Sequence, residues 1–255
     1  MLKMVQKRSE LASTKKNKRK QKMPTSIQRL YETCKEVFGD LEAGTVPAPE
    51  DVNRLKAVLD NMNASDVGLN PTLPYFWKIE LEGNPPITYL RIYECEKFSI
   101  CIFCLPPKGV IPLHNHPGMT VFSKLLFGNM HVKSCDWADS HPSSQESVNT
   151  SHRLAEVKTD KLLTAPCESS VLYPNDGGNM HCFTAMTPCA VLDVLGPPYS
   201  DPDGRRCTYY DDLPYVDTNV APGENVKYTW LEEREKAEDF FVLGAKYRGP
   251  TIKEN

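Results

Sequence analysis

The sequence predicts a mainly β protein, an antiparallel barrel or sandwich, preceded by two helices. Three observations carry that expectation. From Tyr75 onward the apolar residues recur at every second position in short runs rich in β-branched and aromatic side chains. Gly, Pro and Asn turns separate these runs, with no alternating helical segments, which disfavours a parallel α/β sheet. Ahead of them lie two stretches whose apolar residues recur every three or four positions.

A chain of 255 residues, 40% hydrophobic and 25% charged, can bury a sizeable core. Residues 1–22 hold nine Lys or Arg against one Glu, a net of +8; with −3 for the whole chain, the remainder carries −11. So acidic a body argues against direct nucleic-acid binding. No apolar run approaches the roughly 20 residues of a membrane span, and no signal-peptide core is expected. The nine cysteines are an odd number scattered through strand-like segments, which fits a reducing compartment. Cys101 and Cys104, the C-x-x-C of "CIFC", would face opposite ways in a strand and read as buried thiols.

In chain order, residues 1–24 are expected to be a disordered basic tail. Its "KKNKRKQK" at 15–22 reads either as a nuclear-import patch or as a solvated end. Residues 25–255 form one domain: a helical lead-in at 25–70, a barrel at about 75–196 and a wrapping segment at 197–255. Thr25 or Ser26 can cap a helix with an apolar stripe of Ile27, Leu30, Tyr31, Cys34, Val37 and Phe38, stopped by Gly39. A second helix starts after Pro49, with Glu50 and Asp51 in its first turn and Val52, Leu55, Val58, Leu59 and Met62 facing the core. Strands follow in "ITYLRIY", "KFSICIFCL", "MTVFSKLLF", "MHVKSCDW", "LLTA", "SSVLY", "MHCFTAM" and "CAVLDVL", with a tight hairpin at Gly128-Asn129. Residues 138–152 read as a polar loop carrying the solvent-exposed His141 and His152, whereas His131 alternates within a strand and reads as structural. Near the C-terminus, "YTWLEEREKAEDFFVL" fits a short helix or an irregular clamp.

The stretch "IPLHNHPGMT" places His114 and His116 one residue apart behind a strand-like run. In an extended chain they share a face with Cβ atoms about 7 Å apart, close enough to hold one metal between them. Two surface histidines beside a Pro-Gly turn would be the plainer reading, so a third ligand must decide. His181, in "YPNDGGNMHCF", is the best candidate, following a Gly-rich turn and leading a strand.

Gly109, His114, His116 and Gly128 resemble the first cupin motif, and Pro174, Gly178 and His181 the second. The resemblance implies a double-stranded β-helix with the two helices packed outside. The carboxylate ligand usual in cupins would fall near Thr120 and is missing. A site of three neutral imidazoles keeps the full charge of a divalent metal, which favours capture of a thiolate. "PLHNHPGMTVFSKLLFGNMHVKSCDW" with "YPNDGGNMHCFTAMTPCAVLDVLGPPY" looks like the plant cysteine oxidases, relatives of animal aminoethanethiol dioxygenase. That likeness implies Fe(II) as cofactor and O₂ as cosubstrate. The expected reaction converts the N-terminal cysteine of a target protein to cysteine sulfinic acid. The implied targets are group seven ethylene-response transcription factors, whose oxidised ends feed the arginine N-degron pathway in an oxygen-sensing hypoxia response. It implies His114, His116 and His181 as iron ligands, Asp193 as the acidic residue facing the substrate, and Tyr199 as the aromatic near the iron. Cys207 and Tyr209 resemble a Cys-x-Tyr pair that can form a thioether. Asp193 would orient the substrate amine or accept its proton, and the Tyr199 hydroxyl would fix the oxidant's geometry. Alternatively, Asp193 only buttresses a ligand and Tyr199 caps the rim. A monomer acting in nucleus and cytoplasm on proteins with an exposed N-terminal cysteine is expected. The rival readings are a small-thiol dioxygenase, a hydrolytic zinc enzyme and a non-catalytic ligand-binding cupin. A 2-oxoglutarate oxygenase is disfavoured because His116 stands where its carboxylate ligand belongs.

Overall fold

The computed structural model describes residues 23–77, 84–138, 151–215 and 228–254. The basic run at 15–22, His141 and most of the polar loop expected at 138–152 lie outside the described residues.

Helix α1 (Ser26–Phe38) starts where the Thr25 hydroxyl accepts the Gln28 N–H at 3.2 Å, and its six stripe residues are all buried. At about 1.5–3 kcal/mol per buried apolar side chain, packing of that stripe dominates over intrinsic propensity. Gly39 ends the helix in a right-handed conformation, its N–H bonded to the Lys35 carbonyl, so its role is not the left-handed stop usual for glycine. Helix α2 (Pro49–Asp60) has Pro49 inside its first turn, where a missing N–H costs nothing, and buries Val52, Leu55 and Leu59.

Among the described residues twelve strands follow: β1 (Ile87–Glu94), β2 (Ser99–Leu105), β3 (Val110–His114), β4 (Thr120–Phe127), β5 (Asn129–Trp137), β6 (His152–Thr164), β7 (Ser170–Leu172), β8 (Met180–Ala185), β9 (Cys189–Gly196), β10 (Tyr209–Pro214), β11 (Tyr228–Arg234) and β12 (Val242–Lys246). One sheet runs β12-β1-β2-β9-β4-β7; the other runs β10-β11-β6-β5-β8-β3 and closes through pairing of β3 with β10. This is the double-stranded β-helix of the cupins.

The first sheet has two buried faces. Ile100, Ile102 and Cys104 of β2, with Ala190, Leu192 and Val194 of β9, pack under the helices. Cys101, Val121, Leu172 and Leu195 face the barrel interior. Strand alternation therefore sends Cys101 and Cys104 to opposite faces, and both are free thiols.

Two expectations are corrected. The segment 197–255 does not wrap a finished barrel: β10 and β11 complete the second sheet, and β12 extends the first by parallel pairing with β1. "YTWLEEREKAEDFFVL" is neither a helix nor a clamp, since its two ends are β11 and the start of β12. Strand β6 also begins at His152, far ahead of "LLTA", and pairs with β5 along its length. His131 and Asp160 project from that pair outward as a half-exposed 2.8 Å contact, so His131 takes no part in the interior.

Candidate metal centre

Pro112 aims the first histidine. It lacks an N–H and cannot complete the β3 ladder, and the β3–β8 register shifts between Ile111 and His114. The shift sets His114 directly opposite His181, and the Pro112 carbonyl accepts from Nδ1 of His114 at 2.8 Å. That bond leaves Nε2 of His114 bare for a metal. A Gly178 backbone bond holds the ring of His181. Gly178 itself has φ +83°, and a Cβ there would strike the Ser134 side chain at 2.3 Å.

His116 lies beyond the end of β3, so strand alternation does not place it. Asn179 does. Its Oδ1 accepts the His116 N–H at 2.9 Å, and its Nδ2 donates to the carbonyls of His116 (2.9 Å) and Tyr173 (2.7 Å). The buried Asp136 carboxylate accepts from the N–H groups of Gly178 and Asn179 at 2.9 and 2.7 Å, fixing the turn that carries Asn179. Asn115, between the two ligands, bonds the backbone of Thr208 through both its own N–H and its Oδ1. Sequence reasoning missed Asn179, Asp136, Asn115 and Pro112; of these only Pro112, two residues before a histidine in a strand, carried a local signal.

The outcome is a buried group in which the ligand atoms of His114, His116 and His181 lie within 4.8 Å of one another. Ring centroids are 4.8–4.9 Å apart. Burial holds the His114 imidazole below its ordinary pKa and the other two well below theirs, with the neighbouring imidazoles adding to the depression. All three are thus neutral at pH 7 with lone pairs to offer, the state a divalent cation needs. The residues fit a metal. The carboxylate position is apolar: Val121, not Thr120, faces the interior and shares a cavity with His181.

Of the other expected residues, Tyr199 and Tyr209 contact this group directly. Tyr199 donates its hydroxyl to the Asn115 carbonyl at 2.8 Å and sits 2.9 Å from Nδ1 of His116, so it holds a ligand ring. Cys207 lies between the hydroxyls of Tyr199 and Tyr209, and Tyr209 pairs across the barrel seam with His114. Burial raises the Cys207 thiol, and Cys207 is a free cysteine. Asp193 is buried on the interior face of β9; its Oδ1 has no hydrogen-bond partner, and burial raises its pKa to about 7 against a hydrogen bond from Ser123. A cavity of about 320 Å³ runs from His181 past Val121, Ser123 and Leu172 to a rim at Lys161, Glu168 and Ser170.

A double-stranded β-helix that gathers three neutral histidines inside one barrel defines a cupin built to hold a metal. A profile of the family described as PCO_ADO matches residues 58–252. Plant cysteine oxidase 2 of Arabidopsis thaliana is 58% identical over 234 residues, covering 89% of this chain and 83% of its own. Plant cysteine oxidase 1 of the same species is 53% identical over 242 residues, covering 90% and 81%. The 2-aminoethanethiol dioxygenase of Mus musculus is 32% identical over 254 residues, covering 90% and 97%. The chain belongs to the PCO_ADO family, and within it to the cysteine thiol dioxygenases.

Proposed function

We propose that this protein uses Fe(II), held by His114, His116 and His181, to oxidise the N-terminal cysteine of target proteins to cysteine sulfinic acid. The observation that carries this reading is a buried, uncharged set of three histidines with no carboxylate among them, in a barrel whose interior also holds the buried Asp193. Iron(II) bound there would supply a site for a thiolate and for O₂. The conversion RSH + O₂ → RSO₂H takes four electrons from sulfur, the number that O₂ accepts, and needs no reducing cosubstrate. The carboxylate of Asp193 accepts a proton from the substrate's ammonium group, leaving a neutral amine. Tyr199 orients the His116 ring, and the apolar cavity around His181 keeps bulk water from the reacting sulfur.

The targets inferred are group seven ethylene-response transcription factors. Their oxidised termini would feed the arginine N-degron pathway, making the protein an oxygen sensor in the hypoxia response. We expect a monomer, active in nucleus and cytoplasm, that binds no nucleic acid directly. Support for these expectations is the basic run at 15–22, the acidic remainder of the chain and the similarity to the plant cysteine oxidases.

A second reading, oxidation of small free thiols, draws on the 32% identity to a 2-aminoethanethiol dioxygenase. One experiment separates them. Protein loaded anaerobically with Fe(II) is mixed with a peptide beginning Cys-Gly-Gly, O₂ is admitted, and the peptide is weighed. A gain of two oxygen atoms is expected, absent with zinc, with a blocked N-terminus or with His181→Ala. Activity on 2-aminoethanethiol alone would select the second reading.

A further inference from the structure

The interior face of the first sheet carries one polar row among apolar neighbours. Cys101 on β2 pairs with Asp193 on β9, Asp193 with Ser123 on β4, and Ser123 with Ser170 on β7. Interior residues two positions away on β9, β4 and β7 are apolar: Val191 and Leu195, Val121 and Leu125, and Leu172; on β2 they are Phe103 and the buried Ser99. Directly opposed residues in antiparallel strands have Cβ atoms about 4.5–5.5 Å apart, within reach of hydroxyl and carboxyl groups. Exposure rises along the row: Asp193 is buried, Ser123 partly so, and Ser170 stands exposed at the cavity rim. The Ser123 hydroxyl stands opposite the Asp193 carboxyl and works to lower its pKa.

On the other side, Cys101 is buried and, unlike Ser123 and Ser170, does not line the cavity. Tyr199, also near Asp193, has its hydroxyl engaged by Asn115 and His116. The row meets the cavity through Ser123 and Ser170.

We propose that Ser123 and Ser170 form a proton path linking the Asp193 carboxyl to solvent at the rim of the cavity. The proposal rests on the reading of Asp193 as acceptor of the substrate's proton. An ammonium N–H bond breaks and an O–H bond forms on Asp193. That O–H then donates to Ser123 Oγ while the Ser123 proton passes to Ser170 Oγ or to water at the rim. Asp193 returns to the carboxylate, each serine ends with the proton count it started with, and no electron is transferred. Without the path, a carboxyl buried behind apolar walls would keep its proton between turnovers.

The test uses the iron-loaded full chain with the Cys-Gly-Gly peptide, and three variants. Ser123→Ala is expected to lose about tenfold or more in kcat at unchanged iron content, and small external buffers such as imidazole or formate should partly restore it. Ser123→Thr, which keeps the hydroxyl, should retain most of the rate, and Ser170→Ala should lose less, because water can replace a hydroxyl at the rim. Wild-type rate in Ser123→Ala would overturn the path; so would an equal loss in Ser123→Thr with no buffer rescue, which would mark Ser123 as packing. A readout independent of turnover uses metal-free protein. The C=O stretch of protonated Asp193 should shift upward in Ser123→Ala, and its exchange with D₂O should slow. If the wild type oxidises no thiol, the function fails, while the infrared measurement still decides whether Ser123 connects Asp193 to solvent.

Discussion

His116 has no strand partner, and the backbone bonds a ladder would give it come from the side chain of Asn179. Asn179→Ala removes them and leaves the buried N–H of His116 unpaired, a cost of about 1–3 kcal/mol, while its carbonyl keeps the Met119 N–H at 3.2 Å. Metal affinity is expected to fall roughly 10–100-fold, read by chelator competition, with a changed d–d spectrum in Co(II)-loaded protein. Wild-type affinity in that variant would show that the ring bond from Tyr199 suffices. Asp193 gives a prediction in pH. Its folded pKa of about 7 lies above the ordinary 3.8, so the fold favours the neutral acid. This contribution is complete at low pH and is lost as pH climbs through about 7. Asp193→Asn, neutral throughout, should therefore gain about 2 kcal/mol relative to wild type between pH 5.5 and 8, measured by urea unfolding of metal-free protein. A constant difference would mean that the carboxyl titrates normally. The three histidines were legible in the sequence because their spacing is a metal signature. Asn179 and Asp136 were not, because an amide or carboxylate that bonds distant backbone leaves no spacing to read. Tyr199 was legible as a position, but its contact with His116 emerged only in three dimensions.

Among the elements, α2 is fastened to the barrel by polar contacts as well as by its apolar stripe. Lys124 sits 4% exposed in β4, 3.5 Å from the Asp60 carboxylate of α2, and donates to the Cys167 carbonyl. Asp60 also accepts the Ser169 N–H at 2.6 Å, and Lys56 donates to the Ser169 carbonyl. These bonds hold residues 167–169, which line the cavity beside the rim. Asp60→Ala strands the Lys124 charge in an apolar wall. Buried pairs cost about 3–5 kcal/mol when one partner is removed; partial exposure of Asp60 puts the expected loss nearer 2–3 kcal/mol. A shift in urea midpoint at constant slope would measure it, and no shift would show that water reaches Lys124. Helices α1 and α2 could be read from periodicity because each buries a single stripe. Strand β6 escaped because half of "HRLAEVKTDK" is charged, its ladder to β5 outweighing poor strand propensity. The strands β10 and β11 escaped because Pro, Asp and Glu mark them as edges or loops, and β12 because "VLGAK" is short and interrupted by a glycine.

At the scale of the whole molecule, the helices close one face of the first sheet and the two sheets enclose the site. The double-stranded β-helix was legible as many short strands plus the histidine spacing, but which strand closes the barrel was not. That closure runs through the ligands. His114 pairs with His181 on one side and with Tyr209 on the other, so the seam between β3 and β10 rests on a residue of the proposed metal site. Opening of the seam and release of a metal are then linked equilibria, and whatever favours one must favour the other. Amide hydrogens of Tyr209 and its β10 neighbours should exchange with D₂O faster in metal-free protein, and slow by the factor that metal concentration over dissociation constant dictates. Exchange in β10 that ignores the metal would separate the seam from the site. If the linkage holds, scarcity of metal would do more than idle the protein: an emptied barrel would unlatch along one seam, and unlatched chains are what proteases remove.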